Sequence, residues 1–132
     1  MHSRLIRVAA VALVAGTLSL GAFAGMRTIS QVKISDAQGW ATGDLGYARS
    51  TGDTVQYIGC YINGSGSGAA TGFCTARNSA NVTRSCSTNQ SKWLDIIASL
   101  NGDSNLYFRW GSDGKCTMII VENNSTLAPK QP

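Results

Sequence analysis

The chain has 132 residues, 43% of them hydrophobic and 14% charged, with 11 Lys and Arg against 7 Asp and Glu. That is enough chain for one domain with a modest core and too little for two. Arg4 and Arg7 supply two of the four net positive charges. With them and the only histidine, His2, set aside as a leader, the remaining balance of +2 marks no nucleic-acid or polybasic membrane partner.

Residues 1–24 read as a signal peptide. Arg4 and Arg7 form the positive region, 8–23 is a nearly unbroken apolar run, and Ala22-Phe23-Ala24 meets the small-residue rule for cleavage between Ala24 and Gly25. The alternative is an uncleaved anchor, since the uncharged run from Arg7 to Arg27 is long enough to span a bilayer. Gly16, Thr17, Ser19 and Gly21 weaken that span. Leu5-Ile6 separates the arginines, and no cysteine lies near the cut, so neither a twin-arginine signal nor lipid attachment is expected. The reading is export, with no stable membrane span after cleavage.

Residues 25–39 are polar with scattered Ile29, Val32 and Ile34, an edge strand or a loose N-terminal arm. Residues 40–49 are glycine-punctuated and suggest a short strand, followed by a turn at 50–53 and a β-branched, aromatic strand over 55–62. A Gly/Ser/Ala-rich loop covers 63–72, and strands near 73–78 and 82–87 flank a polar turn at 78–81. Thr88 or Asn89 can cap a helix whose Trp93, Ile96, Ile97 and Leu100 share one face, and Asn101-Gly102 is expected to end it with glycine in the left-handed region. Strands at 106–110 and 115–122 are joined through Asp113-Gly114, a good hairpin signal, and 125–132 is a polar tail.

Alternation puts Ile58, Cys60 and Ile62 on one side, as it does Leu106, Phe108 and Trp110, and Cys116, Met118 and Ile120. Ile119 and Val121 on the other side of the last strand suggest that it is central. The expected fold is α+β: one domain over 40–124, with a small antiparallel sheet of about five or six short strands and one packed helix.

Cys60, Cys74, Cys86 and Cys116 are an even set in a small exported chain and read as two disulfides. A zinc site is disfavoured because no pair has C-x-x-C spacing. If Asn78 faces Val82, then Ala76 faces Arg84 and Cys74 faces Cys86, which favours Cys74–Cys86 with Cys60–Cys116. The alternative is Cys60–Cys74 with Cys86–Cys116.

Without histidine, Ser-His-Asp and Cys-His catalysis are absent, and paired cysteines would remove thiolate chemistry. What remains is a serine–lysine pair or the carboxylates Asp36, Asp44, Asp53, Asp95, Asp103, Asp113 and Glu122. Asp53, Asp103 and Asp113 sit in turn signals, where backbone hydrogen bonds account for them, and Asp95 lies beside the apolar helix stripe. No catalytic residue, metal site or cofactor is therefore assigned. Gly64-Ser65-Gly66-Ser67-Gly68-Ala69 is similar to a phosphate loop but precedes a strand and lacks the lysine, and Asp103-Ser104-Asn105 begins like a calcium loop without its glycine and terminal glutamate. The Asn-x-Ser/Thr triplets at Asn63, Asn81, Asn89, Asn123 and Asn124 would be incidental in a bacterial setting.

One candidate ligand-binding face stands out. Opposite the cysteines lie Tyr57, Tyr61, Tyr107 and Arg109, with Lys115 near. Exposed, these form an aromatic and cationic platform for a sugar ring, a peptide or a protein. The alternative is that Trp40, Leu45 and Tyr47 fold over this face and bury it.

The segments Tyr57-Ile58-Gly59-Cys60, Cys74-Thr75-Ala76-Arg77-Asn78, Ser85-Cys86-Ser87-Thr88, Ser99-Leu100-Asn101 and Gly114-Lys115-Cys116-Thr117 resemble a group of small exported bacterial four-cysteine proteins of unassigned function. The resemblance spans roughly residues 57–130 and implies a bacterial, exported, disulfide-stapled protein, with no catalytic residues to carry over. The resulting expectation is a periplasmic or secreted non-enzymatic binding or structural module of the bacterial envelope, its partner a sugar or a protein. A small cell-wall or polysaccharide hydrolase with paired carboxylates is the alternative. A protease inhibitor presenting the 63–72 loop is disfavoured, because good inhibitors present stiff loops.

Overall fold

The computed structural model describes residue 26 and residues 28–66 and 68–127; the leader read over 1–24, its cut at Ala24–Gly25 and residues 128–132 lie outside them. The elements run β1 (Lys33–Ser35), β2 (Trp40–Asp44), α1 (Leu45–Ser50), β3 (Tyr57–Asn63), β4 (Thr71–Arg77), β5 (Thr83–Thr88), α2 (Ser91–Ala98), β6 (Asn105–Trp110) and β7 (Cys116–Glu122). Within the sheets all strand pairings are antiparallel, in a four-stranded sheet of order β1-β2-β6-β7 and a three-stranded sheet of order β3-β4-β5. The α+β class holds, with the strands divided between two sheets and a second, short helix added. Among the described residues no helix is long and apolar enough to cross a membrane.

The two inner faces meet in one core. Phe108, Leu106, Ala41 and Ile119 come from the larger sheet, Cys74, Ala76 and Ile58 from the smaller, and Ile97 of α2 completes it. Val32, 3% exposed, ties the segment before β1 into the same core. Helix α2 sits down on Gly72 of β4, where a Cβ would lie 2.7 Å from Ile97 Cδ1 and 3.0 Å from Leu94 Cδ2. A side chain at Gly72 would lift the helix off the sheet.

The hairpin between β6 and β7 forms as its Asp-Gly pair predicts. Gly114 adopts φ +71°, Asp113 Oδ1 accepts the Lys115 N–H at 3.0 Å, and the Gly111 N–H donates to the Lys115 carbonyl at 2.9 Å. Its tip docks on β5, where the Ser87 N–H donates to the Gly114 carbonyl at 3.1 Å. Across the molecule, Asp36 in the β1–β2 turn receives both Nε and Nη2 of Arg84 on β5 at 2.7 Å. Both partners are exposed, so this ion pair contributes at most about 1 kcal/mol.

Four expectations need correction. The favoured disulfides, Cys74–Cys86 and Cys60–Cys116, do not form; the bridges are Cys60–Cys74 and Cys86–Cys116. The expected register is present, with Asn78 bonded to Val82, Ala76 opposite Arg84 and Cys74 opposite Cys86. However, β4 is the middle strand, so Cys74 also faces Cys60 on its other side. The Cys60–Cys74 Cα separation of 4.1 Å is that of a close, non-hydrogen-bonded pair. A residue of a middle antiparallel strand points its N–H and C=O to one side only, which makes the Cys86 side the wider one. Cys86 instead reaches Cys116 on the other sheet.

The second correction concerns β7, which is a sheet edge, with β6 inside. A bulge opposite Arg109/Trp110 leaves Cys116 opposite Trp110 and Met118 opposite Arg109, so Thr117 is the extra residue. Beyond it the alternation reverses. Ile119 is buried and Val121 packs on the core, while Met118 and Ile120 are exposed at 38% and 44%. Third, residues 45–50 are helical, not a continuation of the strand. The chain turns where the Asp44 carboxylate, fully buried, accepts the Ser30 N–H and Asn105 Nδ2 at 2.6 Å each, and the Leu45 N–H goes to the Ser104 carbonyl. Fourth, α2 starts after Gln90, whose N–H donates to Thr88 Oγ1, and closes on Ser99 in the right-handed region. Left-handed Gly102 is not used. A buried Ser104, accepting the Asn101 N–H at 2.9 Å, makes the turn.

Candidate functional site

The residues proposed as one platform lie on two sheets. Tyr57 and Tyr61 stand on the outward face of the three-stranded sheet, 50% and 55% exposed. Tyr107 and Arg109 belong to β6 of the four-stranded sheet. The prediction placed all four on a single sheet, and the division into two is what separates them. Trp40 does cover Tyr107, stacking at 6.0 Å between ring centroids. Leu45 and Tyr47 do not cover the other pair: Tyr47 Oη accepts Gln31 Nε2, and Leu45 lines a hollow beside Tyr57.

Around Tyr57 and Tyr61 the pairing register builds a grid of outward side chains. Tyr57 faces Arg77, which faces Thr83; Gly59 faces Thr75, which faces Ser85; Tyr61 faces Phe73, which faces Ser87. Tyr61 and Phe73 stack with centroids 5.1 Å apart and rings 18° from parallel. The Tyr57 ring runs along its own strand above Gly59, its Oη 3.2 Å from where a glycine Cβ would be. Gly59 is buried beneath it, so the missing side chain is what lets this ring lie down on the sheet.

The polar members are held as well. Arg77 Nε donates to Thr83 Oγ1 at 3.3 Å, which orients the guanidinium, and Lys115 Nζ donates to Ser87 Oγ at 3.3 Å across the join with the β6–β7 tip. The reverse side of this grid carries the Cys60–Cys74 bridge directly between β3 and β4. Face and staple therefore share the same strands, and the outward residues are preorganised by a covalent cross-strand tie.

A hollow of about 200 Å³ borders Tyr57, lined also by Leu45, Ala48, Arg49, Gln56 and Ile58. Its edge is set by Gln56, which is clamped from two directions. Gln56 Oε1 accepts the Val32 N–H at 2.9 Å, and Nε2 donates to Asp53 Oδ2 at 2.5 Å. Asp53 Oδ1 also accepts the N–H groups of Val55 and Gln56. The Gln56 side chain, with those two backbone donors, holds the Asp53 carboxyl below its usual range.

Elsewhere the polar groups serve the fold. Arg109 donates to the Gln38 carbonyl at 3.1 Å and Trp40 Nε1 to Gln38 Oε1 at 2.6 Å, so this cluster locks the β1–β2 turn. A second, shallower cleft of about 330 Å³ is lined by Asn101, Asp103, Asn123, Asn124 and Ser125. Asn123 there ties Asn101, Ser104 and Ser99 together. Asp36, Asp44, Asp53 and Asp113 are each engaged by the structural partners given above.

Phe73, Thr75 and Arg77 were missed as site residues, although their parity was readable. With Cys74 and Ala76 turned inward, the odd positions of β4 must share the outward side with Tyr57 and Tyr61. No family model, curated protein or solved structure matches this chain.

Proposed function

We propose that the protein is an exported, non-enzymatic binding module of the bacterial envelope, periplasmic or secreted, whose three-stranded sheet presents a flat face to a carbohydrate chain. One observation carries the reading: Tyr57 and Tyr61 stand exposed, Tyr61 stacked on the half-buried Phe73, on a sheet stapled from behind by Cys60–Cys74. Exposed tyrosine rings on a fixed backbone offer an apolar surface to the C–H face of a sugar ring, and little conformational entropy is lost on binding. Thr75, Thr83 and Ser85 lie alongside as hydroxyl partners for sugar oxygens. The two disulfides fit an oxidising compartment, and the leader read over 1–24 supports export. Against catalysis stand the absence of histidine from residues 25–132 and the engagement of all four cysteines in bridges.

The test is affinity electrophoresis or calorimetry of the disulfide-intact protein against a panel of soluble polysaccharides. Tyr57→Ala and Tyr61→Ala should each weaken binding about tenfold, equivalent to ~1.4 kcal/mol, while circular dichroism stays that of the parent. A panel without any binder, or binding indifferent to both substitutions, would sink the proposal.

A further inference from the structure

The charge around this face narrows the ligand. No Asp or Glu occurs between Asp53 and Asp95, so β3, β4, β5 and the loops joining them contain no carboxylate side chain. The cations in that stretch are Arg77, Arg84 and Lys92. Arg84 is neutralised by Asp36, and Lys92 lies 4.7 Å over the ring of Trp93 on α2. Arg77 is the one that stands in the outward grid, directly opposite Tyr57.

Two further cations frame the same surface from other elements. Arg49 of α1 lines the hollow beside Tyr57, so this residue has one arginine across the strand pair and another at the neighbouring hollow. Lys115 holds the far corner through Ser87, the cross-strand neighbour of Phe73. From Arg77 to Phe73 the strand advances four residues, about 13 Å, so the cations lie at the two ends of the aromatic face. Two acids that border this frame are already engaged. Asp53, reached through Gln56, has three N–H donors on its carboxylate, and Asp113 accepts the N–H of Lys115.

Resting on the carbohydrate reading above, we infer that the ligand is an acidic glycan, a sugar chain bearing carboxylate or sulfate groups. The tyrosines stack on its rings. Arg77, with its plane set by Thr83, grips an anionic substituent through its planar donor fork, with Arg49 and Lys115 as flanking contacts. A neutral polymer would leave Arg77, on strands that carry no carboxylate, without a counter-charge; an acidic one supplies it.

The experiment measures binding of the disulfide-intact protein to polygalacturonate, dextran sulfate, unmodified dextran and poly-glutamate, at low and at 0.5 M-order salt. Polygalacturonate, dextran sulfate or both should bind at least tenfold tighter than dextran and poly-glutamate, the preferred polymer telling carboxylate from sulfate. Arg77→Gln should weaken that binding about tenfold and Arg77→Lys less, and Tyr61→Ala should weaken it independently of salt. Equal, Tyr61-dependent binding of dextran would overturn the acidic inference and leave the carbohydrate reading standing. Equal binding of poly-glutamate, or binding to acidic polymers that ignores Arg77→Gln, also overturns it. Binding to none of the polymers removes the carbohydrate reading itself.

Discussion

The molecule carries two aromatic faces of similar composition and unlike construction. On the four-stranded sheet, Trp40 and Tyr107 stack half-buried, and their neighbour Gln38 accepts from both Arg109 and the Trp40 indole. On the three-stranded sheet, Tyr57 and Tyr61 are at least half exposed, and no hydrogen bond among the described side chains ties their hydroxyls down. An arginine on an aromatic face thus has two readings. Where its donors go to a backbone carbonyl it closes a turn; where they point along an exposed sheet beside open rings it is available to a ligand.

The contrast can be broken most forcefully at the covalent tie between the sheets. Replacing Cys86 and Cys116 together with alanine opens a link of sequence separation 30 and should cost about 4 kcal/mol by loop-closure entropy, read from urea unfolding. Replacing Cys60 and Cys74, separation 14, should cost about 3 kcal/mol, with glycan binding falling further than stability alone explains. Next come the rings. Trp40→Ala should cost about 2 kcal/mol of stability and leave glycan affinity intact, whereas Tyr61→Ala should cost only about 1 kcal/mol and lower affinity about tenfold. If Trp40→Ala abolished binding in a folded protein, the assignment of the two faces would be reversed.

A smaller effect separates ring position from ring presence. Gly59→Val puts a side chain where Tyr57 Oη now lies, lifting that ring while every other outward residue stays. Affinity should fall several-fold with little change in Tm, and an unchanged affinity would show that the ring need not lie flat. The smallest effect is at Asp53, whose folded-state pKa is lowered by Gln56 and the backbone donors. A carboxyl with a depressed pKa contributes stability above its unfolded pKa, near 4, and loses it as pH falls through the lower folded value. The Tm difference between Asp53→Asn and the parent should therefore hold steady from neutral pH down to about 5 and close below it.

How much of this was legible follows from which signals are local. The hairpin at 111–114, the stripe Trp93, Ile96, Ile97 and Leu100, and the Cys74–Cys86 register each depend on residues within a dozen positions of one another, and each is found. The bulge at Thr117 leaves no mark in a period-two pattern, so every inward and outward assignment beyond it came out reversed. The helix at 45–50 depends on Ser30 and Asn105 gripping Asp44 from distant parts of the chain. The bridge partners failed for a similar reason: a middle strand offers each cysteine two neighbours, and pairing rules within one hairpin see only one of them. For the candidate face, the tyrosines of β3 are visible from the cysteine parity, but placing the β4 residues beside them requires knowing that β3 and β4 pair.

The two bridges also differ in how easily a reductant reaches them. Cys74, Cys86 and Cys116 are at most 4% exposed, whereas Cys60 is only half-buried. Thiol exchange begins by attack on an accessible sulfur, and the bridge behind the tyrosine face holds the most exposed of the four cysteines, so a reducing environment is expected to meet it first. Its loss would loosen the strands that present Tyr57, Tyr61 and Phe73 while Cys86–Cys116 still holds the two sheets together. On the reading proposed above, partial reduction should therefore weaken glycan binding before it unfolds the protein, because the more exposed bridge lies on the side of the sheet opposite the tyrosines.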